Sequence, residues 1–315
     1  MVEKIIEPVP LKALLSELTE DIFVRPTKNG SNHIYIFKGK DKPNLMLELG
    51  RLRELTFRAA GGGTGKKVDI DSYDNGEFGY SQLIVWDPEE LKLVGGYRYV
   101  CCADTEDTRG NFALSSSEIL TYSEELKKQY FPYTIELGRS FVQPSFQPNS
   151  SNRKGLFSLD NLWDGLGSIV ISNPKIKYFF GKVTMFTSYN KEARDTILHF
   201  LHYYFSDSTN LATTKNPIKI EFKCVDFLDS LQGVDFTDGH KLLNLRVREL
   251  GENIPPMFNS YMGLSSTLKI FGTAKNNHFG DVEETGIMIT IDDIYQQKKD
   301  RYINTYKQYL ANKSS

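Results

Sequence analysis

Apolar residues near the start of the chain, Leu11, Leu14, Leu15 and Leu18, recur at helical spacing and predict a short amphipathic helix. Residues 33–37 read as a strand, and a second helical stripe follows with Leu45, Leu49, Leu52 and Leu55, for which Asn44 is the candidate cap. That stripe runs into Gly61-Gly62-Gly63-Thr64-Gly65, too rich in glycine to continue any regular element, and read as a mobile loop. Two apolar runs, 82–86 and 91–100, flank Asp87-Pro88-Glu89-Glu90 and read as strand, turn, strand. A short helix around 123–130 precedes a strand over 133–142 and a proline-interrupted polar loop over 143–155. Leu162, Leu166, Ile169 and Val170 then share a helix face, 178–186 reads as a strand, and 190–205 is a helix with Ala193, Ile197, Leu201 and Tyr204 inward. Residues 206–253 carry no readable period. Beyond them Pro255 opens a short helix, 268–273 and 286–291 flank Asn276-Asn277 as a hairpin, and a tyrosine-rich helix closes the chain. Helices and strands mix without a regular βαβ cadence, so the fold class is α/β of the α+β kind.

Composition narrows the function classes. At 315 residues the length corresponds to about two domains of ~150 residues or one large one. A net charge of −2 argues against duplex nucleic acid as the main partner. No apolar run approaches the ~20 residues of a membrane-spanning helix. Met1-Val2-Glu3-Lys4 opens into mixed charge rather than a signal-peptide core. Three cysteines, two of them adjacent, make a poor disulfide scaffold and point to a reducing, cytoplasmic setting.

Several familiar chemistries fail on inspection. A phosphate-binding loop over 61–67 would need glycine at Ala60 and Ser or Thr at Lys67. His199 and His202 stand three apart on a helix, with no carboxylate or cysteine at a neighbouring ligand spacing, so no metal is expected. Cys101 and Cys102 end an apolar strand, where cysteine behaves as a small hydrophobe. No nucleophile-elbow motif supports Ser-His-Asp catalysis.

What survives is a set of charges in apolar surroundings. Glu136-Leu137-Gly138-Arg139 interrupts a strand, Arg98 sits in the strand before it, and Arg53, Phe57, Asp71 and Asp74 lie upstream. The bland alternative makes Arg53 and Arg58 a solvated helix face and the two aspartates a turn. Glu136 and Arg139 resist it. Strand residues three apart point to opposite faces, so one charge would be driven into a buried face unpaired. A bulge at Gly138 would bring both onto one face, where they could pair, and such bulges mark active sites.

These residues, together with Gly95-Gly96-Tyr97-Arg98, resemble the GNAT-fold N-acyltransferases that take their acyl group from acyl-carrier protein: the ornithine and glycine N-acyltransferases of bacterial aminolipid synthesis, known as haemolysin-like, and their relatives the acyl-homoserine lactone synthases. Ile254-Pro255-Pro256-Met257-Phe258-Asn259-Ser260-Tyr261-Met262 and His278-Phe279-Gly280 resemble the C-terminal part of the aminolipid branch. The likeness covers about residues 45–292, expected as the acyltransferase domain, with 1–44 as an extension packed on it and 293–315 as a terminal amphipathic helix. The resemblance implies a GNAT-like fold with a central, mostly antiparallel sheet flanked by helices. One departure matters. Acetyl-CoA-using relatives cradle pyrophosphate with Arg/Gln-x-x-Gly-x-Gly/Ala, of which Arg153-Lys154-Gly155-Leu156-Phe157-Ser158 keeps fragments, as a single-phosphate carrier donor would allow.

The implied reaction is attack of an amino acid's α-amine, glycine's first and ornithine's second, on a long-chain (3-hydroxy)fatty acyl thioester. Glu136 would take the amine's proton, the backbone near Gly138 would hold the oxyanion, and Arg139 and Arg98 would keep Glu136 ionised or clamp the substrate carboxylate. Arg53, Phe57, Asp71, Asp74 and Arg98 would bind the acceptor, and Arg153, Gly155, Tyr189 and Asn190 the donor. No tightly bound cofactor is implied, only an acyl-phosphopantetheine co-substrate on acyl-carrier protein or CoA. Lys175, Lys177, Lys191 and Arg194 would receive the acidic carrier. A peripheral contact at the inner face of the membrane is the further partner expected. The rivals are an acetyl-CoA-dependent GNAT acetyltransferase and a non-enzymatic, membrane-active protein.

Overall fold

In the computed structural model, which describes residues 2–147 and 154–314, strands form where the apolar runs predict them. In chain order they are β1 (Phe23–Pro26), β2 (His33–Lys38), β3 (Ser81–Asp87), β4 (Lys92–Cys101), β5 (Leu120–Tyr122), β6 (Thr134–Val142), β7 (Tyr178–Met185), β8 (Ala212–Thr214), β9 (Lys269–Asn276) and β10 (Val282–Thr290). The helices used below are α1 (Leu11–Glu17), α2 (Pro43–Ala59), α3 (Ser72–Asn75), α4 (Ser158–Ser172), α5 (Lys191–Phe205), α6 (Val225–Ser230), α7 (Phe236–Glu249) and α8 (Pro256–Met262). The chain divides into two compact units. One comprises Met1–Ser115, Phe131–Lys177 and Tyr295–Ser315; the other comprises Ser116–Tyr130 and Tyr178–Ile294.

The first unit holds an antiparallel sheet in the order β1-β2-β3-β4-β6. Helix α2 turns Leu45, Met46, Leu49 and Leu52 inward against Tyr35, Phe37, Ile84, Trp86 and Phe141 of the sheet. This is the 3.6-residue stripe meeting the two-residue alternation of strands, and it seats α2 over the middle of the sheet. In the second unit β7, β10 and β9 make an antiparallel meander, with β5 and β8 as a separate antiparallel pair. Together the elements make the mixed α/β fold of mostly antiparallel sheet and flanking helices.

Three local expectations change. Helix α2 is capped at Lys42 and has Pro43 in its first turn, where a missing N–H costs nothing. Asn44 instead donates through its backbone N (3.0 Å) and its Nδ2 (2.6 Å) to Oε1 of Glu17, tying α2 to α1. The glycine-rich loop is tied back by hydrogen bonds that the sequence did not suggest. Oε2 of Glu54 accepts from Thr64 N (2.9 Å) and Thr64 Oγ1 (2.8 Å), and Oε1 accepts from Gly65 N (2.8 Å). Its amides thus close on a carboxylate of the helix that precedes it. The terminal helix is broken: α-helical over Gln296–Lys298 and Asn304–Ser314, it is π-helical over Lys299–Ile303.

Candidate active site

The bulge lies one step beyond Gly138. Arg98 pairs with Gly138 and Gly96 with Phe141, so Tyr97 alone stands opposite both Arg139 and Ser140. Arg139 takes the turn, with φ at 49°, an uncommon value for a residue with a side chain. A Cβ at Gly138 would stand 3.5 Å from Nε of Arg98 and 3.8 Å from Oγ of Ser115, so this position looks onto the charged groups. Strand register, a bulge and one left-handed residue therefore gather the charges that simple alternation would have separated.

Glu136 is fully buried. Its Oε2 accepts from the phenol of Tyr80, from Ser115 N at 3.0 Å and from Ser115 Oγ at 3.1 Å. Burial, reinforced by the negative Glu136, pushes the Tyr80 phenol well above its ordinary range, which keeps it a donor.

Beside it runs a ladder of arginines and aspartates. Arg53, wholly buried, donates from Nη1 to Oδ1 of Asp74 (2.9 Å) and from Nη2 to Oε1 of Gln82 (2.5 Å). Arg98 reaches Oδ1 of Asp71 at 2.7 Å and Oδ2 of Asp74 at 3.3 Å. Arg139 pairs through Nε with Asp69 at 2.8 Å and through Nη2 with Asp71 at 3.5 Å. Burial works against the charge on Asp74, but Arg53 and Arg98 outweigh it and hold the carboxyl well below the usual range. Burial likewise opposes the charge on Arg98, and Asp74, Asp71 and Asp69 overcome it. Asp71 and Asp74 also form a capping box around the single turn of α3, so the same two carboxylates build a turn and pair with the arginines. The guanidinium of Arg98 lies 5.4 Å from the Tyr73 ring and 5.3 Å from the Tyr80 ring. A continuous path thus runs from Arg139 through Asp71, Arg98 and Tyr80 to Glu136, all of it inside the first unit.

The remaining sequence candidates fall elsewhere. Phe57 packs edge-on to Phe141 at 6.2 Å, against the core beneath the sheet. Arg153 lies outside the described residues. Gly155 is required by packing: a Cβ there would stand 2.8 Å from the backbone of Phe146 and Gln147. Tyr189 and Asn190 belong to the second unit. Asn190 caps α5, its Oδ1 accepting from Glu192 N (2.9 Å) and Ala193 N (3.1 Å), while the Tyr189 hydroxyl donates to the Asn253 carbonyl (2.9 Å). Tyr189 also borders a cavity of about 520 Å³ rimmed by Lys191, Arg194, Lys219 and Lys275. His199 bonds the carbonyl of Phe222 through Nε2 at 2.9 Å. No group of metal-ligating side chains occurs among the described residues. Burial raises the thiols of Cys101 and Cys102, the reverse of nucleophile activation.

Four members of the cluster lie outside the residues singled out from the sequence: Tyr80, Ser115, Asp69 and Gln82. An isolated tyrosine at a strand start and a serine in a polar stretch look ordinary until strand register brings them to Glu136. Asp69 alone had a cue, an aspartate two residues from Asp71 in an alternating run.

Comparison with known proteins supplies the family. Residues 52–154 match the family model described as an acetyltransferase (GNAT) domain. A glycine N(alpha)-acyltransferase of Bacteroides thetaiotaomicron is 48% identical over 305 residues, covering 96% of this chain and 90% of that protein. A glycine N(alpha)-acyltransferase of Phocaeicola vulgatus is 48% identical over 306 residues, covering 96% and 94%. Among solved structures, a CoA-dependent acyl-homoserine lactone synthase, BjaI, with SAM and isopentyl-CoA, aligns with a TM-score of 0.30 and 10% identity over 76% of this chain and 70% of that one. That last likeness is slight. With near-complete coverage by two such relatives and a matched GNAT domain spanning Arg53 to Arg139, the chain is an acyltransferase and belongs to the glycine N(alpha)-acyltransferase family.

Proposed function

We propose that the chain transfers a long-chain, 3-hydroxylated or plain, fatty acyl group from acyl-carrier protein to the α-amine of glycine, as a step in making an aminolipid. The observation that carries the chemical part is the buried Glu136 carboxylate, met by a phenol, a hydroxyl and an amide, next to the arginine–aspartate ladder. Glycine arrives as an ammonium with a carboxylate. Glu136 takes one proton from nitrogen, directly or through water, and the freed lone pair attacks the thioester carbon. Collapse of the tetrahedral adduct breaks the C–S bond, and the second nitrogen proton ends on the departing thiolate. The products are the amide, the free carrier thiol and one proton handed from Glu136 to solvent. Arg98 and Arg139 orient the substrate carboxylate, since a guanidinium meets a carboxylate in a planar fork. Arg53, Asp71 and Asp74 hold those arginines in place. Gly138 leaves room beside the strand for the thioester carbonyl. Arg153 and Gly155 form the donor's single-phosphate contact, and Lys191 and Arg194 at the rim of the second unit's cavity face the acidic carrier. The product is an amphiphile, which is the reason to expect a peripheral membrane contact.

Incubating the protein with glycine or ornithine and, separately, palmitoyl-carrier protein, palmitoyl-CoA or acetyl-CoA tests this reading. The expected outcome is N-palmitoylglycine, formed fastest from the carrier-bound donor. Turnover of acetyl-CoA alone, or transfer to ornithine in preference to glycine, overturns the corresponding part.

A further inference from the structure

We propose that Tyr80 is the positioning residue for Glu136, setting the pH range in which the carboxylate works and coupling it to the arginine–aspartate ladder. The inference rests on Glu136 being the base and adds a residue outside the set named for that reaction.

Four contacts fix the phenol. Tyr80 is fully buried, and its ring meets Tyr73 edge-on at 5.6 Å. Its backbone N donates to the Tyr73 carbonyl at 2.7 Å. Its hydroxyl oxygen accepts from Ser115 N at 3.0 Å, and its proton goes to Oε2 of Glu136. Ser115 N also points at that same Oε2, at 3.0 Å, so the amide, the phenol and the carboxylate close a triangle. With its oxygen receiving a proton and its own raised against loss, the phenol has one role left, as donor to Glu136. A donor aimed at a carboxylate favours the charged form, the form able to take a proton from an ammonium. The second half of the argument is the ring face. Arg98, which holds Asp71 and Asp74, lies 5.3 Å from the centre of the Tyr80 ring. Movement of Arg98 on binding a substrate carboxylate is therefore felt by the side chain that holds the base. Tyr80 touches no reacting atom in this account; it acts through Glu136.

The test is the pH dependence of kcat/KM for Tyr80→Phe, which removes one oxygen and keeps the ring, with palmitoyl-carrier protein and glycine as substrates. The acidic limb of the wild-type profile is the reference. In Tyr80→Phe that limb is expected to move to higher pH by about one unit, with most of the rate recovered on the alkaline side. Ser115→Ala, which removes only one hydroxyl donor, should move it the same way by less. Combining Tyr80→Phe with Glu136→Gln should cost no more than Glu136→Gln alone, because the phenol then has nothing to position. A Tyr80→Phe limb superimposable on the wild type, or a uniform loss at every pH, overturns the proposal while leaving the base intact. Full turnover by Glu136→Gln removes the base itself, a distinct result. Should Tyr80→Phe fail to fold, the Ser115→Ala limb decides: no displacement overturns the idea that these donors set the base.

Discussion

Glu54 and Glu136 are both glutamates with fully buried side chains, in the same unit of the fold, and they are held in opposite ways. Glu54 faces a guanidinium and a loop. Arg58 donates to it through Nε (3.0 Å) and Nη2 (2.7 Å), and Thr64 and Gly65 add two amides and a hydroxyl. Burial opposes its charge, yet the Thr64 amide and Arg58 prevail and hold the carboxyl below its ordinary range. Glu136 is met by a phenol, a hydroxyl and an amide, with the arginines of the ladder committed to aspartates. A carboxylate saturated by a direct ion pair and a closed loop is an anchor, since protonating it breaks the structure around it. Glu136 instead meets donors from two other parts of the chain, the Tyr80 phenol and the Ser115 amide and hydroxyl. On the proposed function, the difference separates a buried charge that builds the fold from one that does chemistry.

Exchanging each carboxylate for its amide is the sharpest way to break that contrast. Glu136→Gln is nearly isosteric and should lower turnover by ~10²–10⁴-fold while the melting temperature stays close to wild type. Normal turnover in a folded Glu136→Gln protein would remove the contrast altogether. Asp74→Asn strips the countercharge shared by Arg53 and Arg98, and the expected cost is about 3–5 kcal/mol of stability, read by denaturant unfolding at neutral pH. Because the Asp74 carboxyl is depressed in the folded state, its contribution is complete above the ordinary carboxylate range and disappears as the pH falls through the lowered value. The stability gap between wild type and Asp74→Asn should therefore narrow in acid; a gap unchanged at about pH 3 would mean that charge is not the source. Glu54→Gln should cost about 1.5–3 kcal/mol, the worth of hydrogen bonds to a charged group, with turnover per folded molecule unchanged. A fall in turnover larger than the loss of folded protein would show that the glycine-rich loop takes part in the reaction.

The two glutamates also mark how far the sequence could be read. Glu136 and Arg139 stand out because two charges three apart in an apolar strand conflict with alternation, and the conflict points to a bulge before any coordinates are seen. Asp71 and Asp74 have the spacing of a capping box, a local signal. Tyr80 and Ser115 have no such mark. Tyr80 precedes β3, whose Ser81 pairs with Tyr99 of β4, and the next residue, Val100, faces Glu136 of β6. Ser115 arrives from a 3-10 turn, so the meeting depends on contacts distant in sequence. The closure of the glycine-rich loop on Glu54 was hidden for the same kind of reason. Glu54 and Arg58 look like an ordinary i,i+4 helix pair, and nothing nearby says that the loop folds back onto them. In 206–253 the obstacle was thin burial: α7 buries only Gly239, Leu243 and Val247 among its fourteen residues, a stripe too narrow to show as a period.

Asn190 carries the smallest effect and extends the contrast to the second unit. Its side-chain oxygen is committed to Glu192 N and Ala193 N, satisfying two of the amides that the start of α5 leaves without partners. A donor molecule wanting that oxygen would have to uncap the helix. Asn190→Ala should therefore lower stability by about 1 kcal/mol, the usual worth of a cap, and leave KM for the acyl donor where it was. Asn190→Asp supplies the control: it restores a capping oxygen and adds a negative charge at the helix's positive end, so stability should return. The two roles then part cleanly in kinetics. If the side chain serves only α5, stability follows the cap through both variants and KM stays flat. If it touches the thioester arm, Asn190→Asp regains stability while KM for the donor rises, because a carboxylate has replaced an amide that donated to the ligand. A raised donor KM in both variants would make Asn190 a functional contact of the acyl donor.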